Sequence, residues 1–174
     1  MCLNSATAAE ELNLRILGIG PGDEVIVPAY TYTASASAAI HCGATVKFVD
    51  IQKDGAPVTH MPEMDYDALE AAITEKTKAV VTVDLGGIVC DYDRVFAIVN
   101  RKKYLSHPAG SDGTPLSDLS SRIQNVLGRT AIVADGGCRA CAWSRQSFRQ
   151  SGKSMSAPLP ISHPSPSMRS TSLR

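Results

Sequence analysis

The stretch "LNSATAAEELNLRILGIGPGDEVIVPAYTYTASASAAIHCGATVKFVDI" (residues 3–51) decides the fold, because its hydrophobic period switches repeatedly between helix and strand. "NSATAAEELNLRIL" (4–17) predicts a helix opened by Asn4 or Ser5 as N-cap, with acids early as the helix dipole prefers. "GIGPGD" (18–23) stops it, and "EVIVPA" (24–29) is a short buried strand. "TYTASASAAIHCG" (31–43) is a small-residue helix ended by Gly43, followed by the strand "TVKFVDI" (45–51).

Downstream the alternation continues. "DYDALEAAI" (65–73) is a helix capped at Asp65, and "KAVVTVDL" (78–85) is a strand. "DYDRVFAIVNRKK" (91–103) is amphipathic, with Val95, Ile98 and Val99 on one face and the basic run Arg101, Lys102 and Lys103 at a solvated end. A loop over 104–115 leads to the helix "LSDLSSRIQNVLG" (116–128) and the strand "TAIVAD" (130–135). Short Val/Ile-rich strands without alternation, separated by helices, imply an α/β fold: a mainly parallel sheet covered on both faces.

Composition sets the outer limits. The 174 residues suit one domain with a real core, and no apolar run approaches the roughly 20 residues of a membrane span. No basic region with an apolar core opens the chain, so no signal peptide is expected. Five cysteines without framework spacing fit a reducing, cytoplasmic setting. The net charge of zero conceals an asymmetry: residues 138–174 carry six Lys/Arg, ten serines, four prolines and no acid. Such a segment does not build a core, so residues 1–136 form the expected domain and 137–174 a disordered tail. With few aromatics among its charges, that tail is a poor nucleic-acid arm.

Candidate chemistry falls on the strand ends. The glycines Gly18, Gly20 and Gly22 follow a helix and precede a strand, the reverse of a dinucleotide loop, and read as a connector. "NSATAA" (4–9) leaves helix-start N–H groups for a phosphate, or is simply a cap. Tyr30 and Tyr32 follow a strand's C-terminal end, where an aromatic stacks on a planar ligand or packs as a buried structural tyrosine. Asp135 ends a strand, as a ligand contact or as a helix N-cap. His41, His60 and His107 have no metal spacing. Cys138 and Cys141 would need two more ligands to hold structural zinc.

In this order the residues resemble the DegT/DnrJ/StrS family of sugar aminotransferases, most specifically over 3–51, then through "MDYDALEAAITEKTKAVVTVDLGG" (64–87) to "TAIVAD". The resemblance covers roughly residues 2–136 and implies part of the large domain of the type I pyridoxal-phosphate fold, with the segment before Met1 missing. It implies that Thr7 and Ala8 start the phosphate-binding helix, Tyr32 stacks on the pyridine ring and Asp135 pairs with the ring nitrogen. It also implies pyridoxal 5'-phosphate as cofactor, a nucleotide-sugar substrate, an amino-acid donor and a homodimer, without nucleic acid or membrane. A dehydratase of the same family and a non-catalytic α/β binding module are the alternative readings.

The Schiff-base lysine of the family follows the aspartate in a segment like "ADFTSFSFHAVKN". Here Lys153 is the sole lysine beyond Asp135, and its surroundings match nothing, so no catalytic residue is assigned. Reading "LPISHPSPSMRS" (159–170) from the third base of each codon permits Ala-Asp-Phe-Thr-Ser-Phe-Ser-Phe-His-Ala-Val in order. The other shifted frame over "ACAWSR" (140–145) permits His-Ala-Leu-Gly-Ala, resembling the residues after the family's aspartate. Residues from about Gly137 thus read as out-of-frame translation.

Overall fold

A computed structural model of the chain describes residue 3 and residues 5–52, 63–85, 89–107 and 112–136. Asn4, His60, the Cys138/Cys141 pair, Lys153 and the tail expected to be disordered lie outside the described residues.

Helix α1 (Ala6–Ile16) leads to β1 (Glu24–Pro28), then α2 (Thr33–His41) and β2 (Thr45–Val49). Next come α3 (Tyr66–Ala72), β3 (Thr77–Val83) and α4 (Tyr92–Arg101). A 3-10 turn (Lys103–Leu105), α5 (Pro115–Leu127) and β4 (Ala131–Asp135) complete the described order. The four strands form one parallel sheet in the order β2-β1-β3-β4. The α/β expectation is met, and each predicted element is present within two or three residues of its predicted ends.

Alternation along the central strands explains the layering. Val25 and Val27 of β1 join Val81 of β3 and Val133 of β4 in a core closed by Leu14 of α1 and the alanines of α2. Ile26 and Val80 point the other way, into a second core with Leu69 of α3 and Val95, Ile98 and Val99 of α4. Both faces are apolar because both are covered, as a parallel sheet requires. Ala36, Ala38 and Ala39 are buried and short enough to let α2 lie close against α1. β2 is the exception: it is an edge strand among the described residues and leaves Phe48 61% exposed.

Local chemistry sets the element ends. Asp65 caps α3 by accepting from the Asp67 and Ala68 amides at 2.9 and 3.0 Å. Thr114 caps α5 through the Ser117 amide, and Gly128 closes it in a left-handed conformation at φ 59°. Arg101 is more than a solvated end: its guanidinium grips both oxygens of Glu70 at 3.0 and 2.6 Å, tying α4 to α3. No helix among the described residues is long and apolar enough to cross a membrane.

Candidate active site at the end of strand β4

The site is built around Asp135, the last residue of β4, at the C-terminal edge where open α/β sheets bind ligands. The Asp84 amide donates to the Asp135 carbonyl at 2.9 Å, continuing the β3–β4 pairing to this point. Two helices reach the side chain. From α2, Ser35 is 1% exposed and donates from its hydroxyl to Asp135 Oδ2 at 3.0 Å. Ser35 has one proton to give, so the 3.1 Å contact with Thr31 Oγ1 has Thr31 as donor. The result is a one-way chain of hydroxyls from Thr31 through Ser35 to Asp135.

From α1 comes Glu10, 6% exposed and next to Asp135. No N–H or O–H among the described residues reaches either of its oxygens. Burial first, then a hydrogen bond with Asp135 and that group's charge, push its carboxyl up to about 8. A hydrogen bond between two carboxyl groups needs a proton on one of them.

One turn before these two residues stand the positions singled out in the sequence. Thr7 precedes Glu10 by three residues on α1 and is half-buried. Tyr32 precedes Ser35 by three and is the N-cap position of α2; the Ser35 amide donates to its carbonyl at 3.2 Å. The i, i+3 spacing puts each pair on one helix face, so Thr7 and Tyr32 lie on the faces whose next turn grips Asp135. Tyr32 is 78% exposed and Tyr30 57%, which removes the buried-structural reading of both. Ser5 is the N-cap of α1, and its hydroxyl accepts from the Ala8 amide at 3.2 Å. The Ala6 and Thr7 amides lie ahead of the first intrahelical bond and point off the helix end. Of the two positions proposed for phosphate, Thr7 has an amide with no partner among the described residues, while Ala8's is spent on the cap.

One expectation needs correction. No acid lies in the first turn of α1. Glu10 is turned into the sheet, and Glu11 pairs with Arg15 at 2.7 Å and His41 at 3.1 Å, so neither answers the helix dipole. His41 thereby joins the end of α2 to α1. Among the described residues no cluster of His, Cys, Asp and Glu has the arrangement of a metal site.

Ser35, Thr31 and Glu10 were not read as site residues from the sequence. Ser35 repeats the position of Tyr32 one turn on, and Glu10 is an acid on the buried face that carries Leu14; both patterns are visible in the residues. A cavity of about 750 Å³ lies apart from this cluster, along the outer edge of β4, lined by Asn13, Phe96, Arg129 and strand residues up to Ala134.

The sequence profile described as the DegT/DnrJ/EryC1/StrS aminotransferase family matches residues 1–105. GDP-perosamine synthase of Caulobacter vibrioides is 45% identical over 102 residues, covering 59% of this chain and 26% of that protein. UDP-4-amino-4-deoxy-L-arabinose–oxoglutarate aminotransferase of Shewanella sediminis is 35% identical over 149 residues, covering 78% and 35%. A Streptococcus pneumoniae protein described as a sugar aminotransferase, solved with PMP, superposes with a TM-score of 0.66 at 53% identity, over 78% of this chain and 30% of that one. The same protein has been solved in its PLP form. The chain thus spans between about a quarter and a third of the length of these relatives. With the profile matching more than half of its residues, the chain belongs to the DegT/DnrJ/EryC1/StrS aminotransferase family.

Proposed function

We propose that residues 1–136 are the cofactor-binding part of a pyridoxal-phosphate-dependent aminotransferase that acts on keto-sugar nucleotides in amino-sugar synthesis. The observation that carries this reading is the Asp135 carboxylate, fixed by Ser35 at a strand end, with the capped start of α1 one turn before Glu10 and an exposed tyrosine one turn before Ser35. These residues fit a phosphorylated pyridine. Asp135 holds a proton on the ring nitrogen, Thr7 and the start of α1 receive the phosphate, and Tyr32 covers a ring face. Bound there, pyridoxal phosphate supplies an electron sink for the electrons released when a substrate Cα–H bond breaks. Ser35 and Thr31 keep Asp135 oriented and oppose its movement away from the ring nitrogen.

The relatives support the substrate class: GDP-perosamine synthase and the UDP-4-amino-4-deoxy-L-arabinose aminotransferase are both named for nucleotide sugars. The reading includes an amino-acid donor and a homodimer in the whole enzyme. It also includes a boundary at residue 136, beyond which the frame of the ancestral gene is lost. Lys153 then carries no cofactor, and this chain by itself does not transaminate.

One titration of the full chain tests the reading. Pyridoxamine phosphate should bind, and pyridoxamine without phosphate should bind at least about tenfold more weakly, a difference of 1.4 kcal/mol. Treatment with pyridoxal phosphate and borohydride should leave Lys153 unlabelled in the mass spectrum. Indifference to the phosphate would remove the anion site, and a specific pyridoxyl label on Lys153 would restore it as the Schiff-base residue.

A further inference from the structure

Glu10 has no place in the function just described, yet it is the most constrained ionisable group near it. It is 6% exposed, and neither oxygen has a donor among the described residues. A bare carboxylate in that position is unstable, and two adjoining carboxylates do not both ionise.

The surroundings decide which group is neutral. α1 packs against α2, β4 and α5. From β4 the facing ionisable group is Asp135. From the end of α2, His41 and Cys42 turn to Glu11, the former to its side chain and the latter to its carbonyl, and Arg15 on α1 itself also pairs with Glu11. α5 meets α1 through Ser120 and Gln124, which donate to the Ile16 and Leu17 carbonyls, while its Asp118 and Arg122 are exposed. No cation among these faces Glu10. Asp135 has the Ser35 hydroxyl as donor and Glu10 has none, so the proton belongs on Glu10 and the negative charge on Asp135.

We propose that Glu10 and Asp135 form a hydrogen-bonded acid pair of single negative charge, in which Glu10 is a positioning residue that donates its proton to Asp135 and fixes that carboxylate at the end of β4. The single charge matches one protonated ring nitrogen. This consequence rests on the aminotransferase reading; the shared proton does not.

The sign of the pH dependence follows from the raised carboxyl. Folded Glu10 keeps its proton up to about 8, against 4.5 for an ordinary glutamate, so its contribution is fully present at low pH and is lost as pH rises between those values. The test uses the full 174-residue chain. Infrared spectra near neutral pH should show a protonated-carboxyl C=O band, and the thermal midpoint should fall from about pH 4.5 to 8. Glu10→Gln, which keeps a donor and removes the titration, should abolish the band and flatten that fall. Absence of the band in the unaltered chain overturns the inference even if the variant does not fold, and so does an unchanged slope in a folded E10Q chain. An acid pair that titrates as described in a chain blind to pyridoxamine phosphate would sink the aminotransferase reading and leave the pair standing.

Discussion

Asp135 is held by side chains from two helices, Ser35 with a hydroxyl from α2 and Glu10 with a carboxyl from α1. Neither contact is local in sequence, since Ser35 and Asp135 lie 100 residues apart. Tyr32 offers the cleanest test of a residue's role, because a side chain 78% exposed contributes little to the fold. Tyr32→Ala should change unfolding free energy by no more than about 0.5 kcal/mol. The same variant should weaken pyridoxamine phosphate binding, measured by calorimetry, by the loss of a stacking face. Unchanged binding would remove Tyr32 from the site. Asp135 was legible in the sequence because a carboxylate closing a Val/Ile-rich strand stands out. Glu10 was hidden for a physical reason: an acid near a helix start satisfies the dipole preference on paper, and only the packing of α1 on the sheet shows that it faces inward.

At the scale of elements, caps and glycines carried most of the information. Asp65, Gly43 and Gly128 end or begin helices where side-chain chemistry says they must. Gly18 has a further role that no spacing rule reveals. Its φ is +71°, and a Cβ there would lie 2.7 Å from Ser120 Cβ, where α5 crosses the end of α1. The Ser120 hydroxyl in turn donates to the Ile16 carbonyl at 2.8 Å, one of the orphan acceptors of the helix end. Gly18→Ala combines a left-handed backbone with overpacking, and urea unfolding should show a loss of about 2–4 kcal/mol. A loss under about 1 kcal/mol, the ordinary effect of a point change, would mean that the α1–α5 contact is soft. The error over the acids of α1 has the same origin as the success with its cap: propensity fixes where a helix starts, while tertiary packing decides which face is buried.

In the whole molecule, α2 and α3 lead to strands on opposite sides of β1, so the strand order reverses between β1 and β3 and the C-terminal ends of the strands form one edge. Tyr32 after β1 and Asp135 on β4 stand along that edge, with Thr7 brought to it by α1. The parallel, doubly covered sheet was readable because every strand is a short apolar run between helices. The order β2-β1-β3-β4 was not, since periodicity says which face of a strand is buried and nothing about its neighbours. β4 pairs with β3 alone among the described residues, and the cavity beside its outer edge marks where the described sheet stops. The most direct measurement compares pyridoxamine phosphate binding to the full chain and to Asp135→Asn by calorimetry. Losing a charge-assisted hydrogen bond of about 1.5–3 kcal/mol should weaken binding roughly 10- to 100-fold, with the fold retained by circular dichroism. Equal affinity in the two chains, or no binding by the unaltered chain, would contradict a cofactor site centred on Asp135.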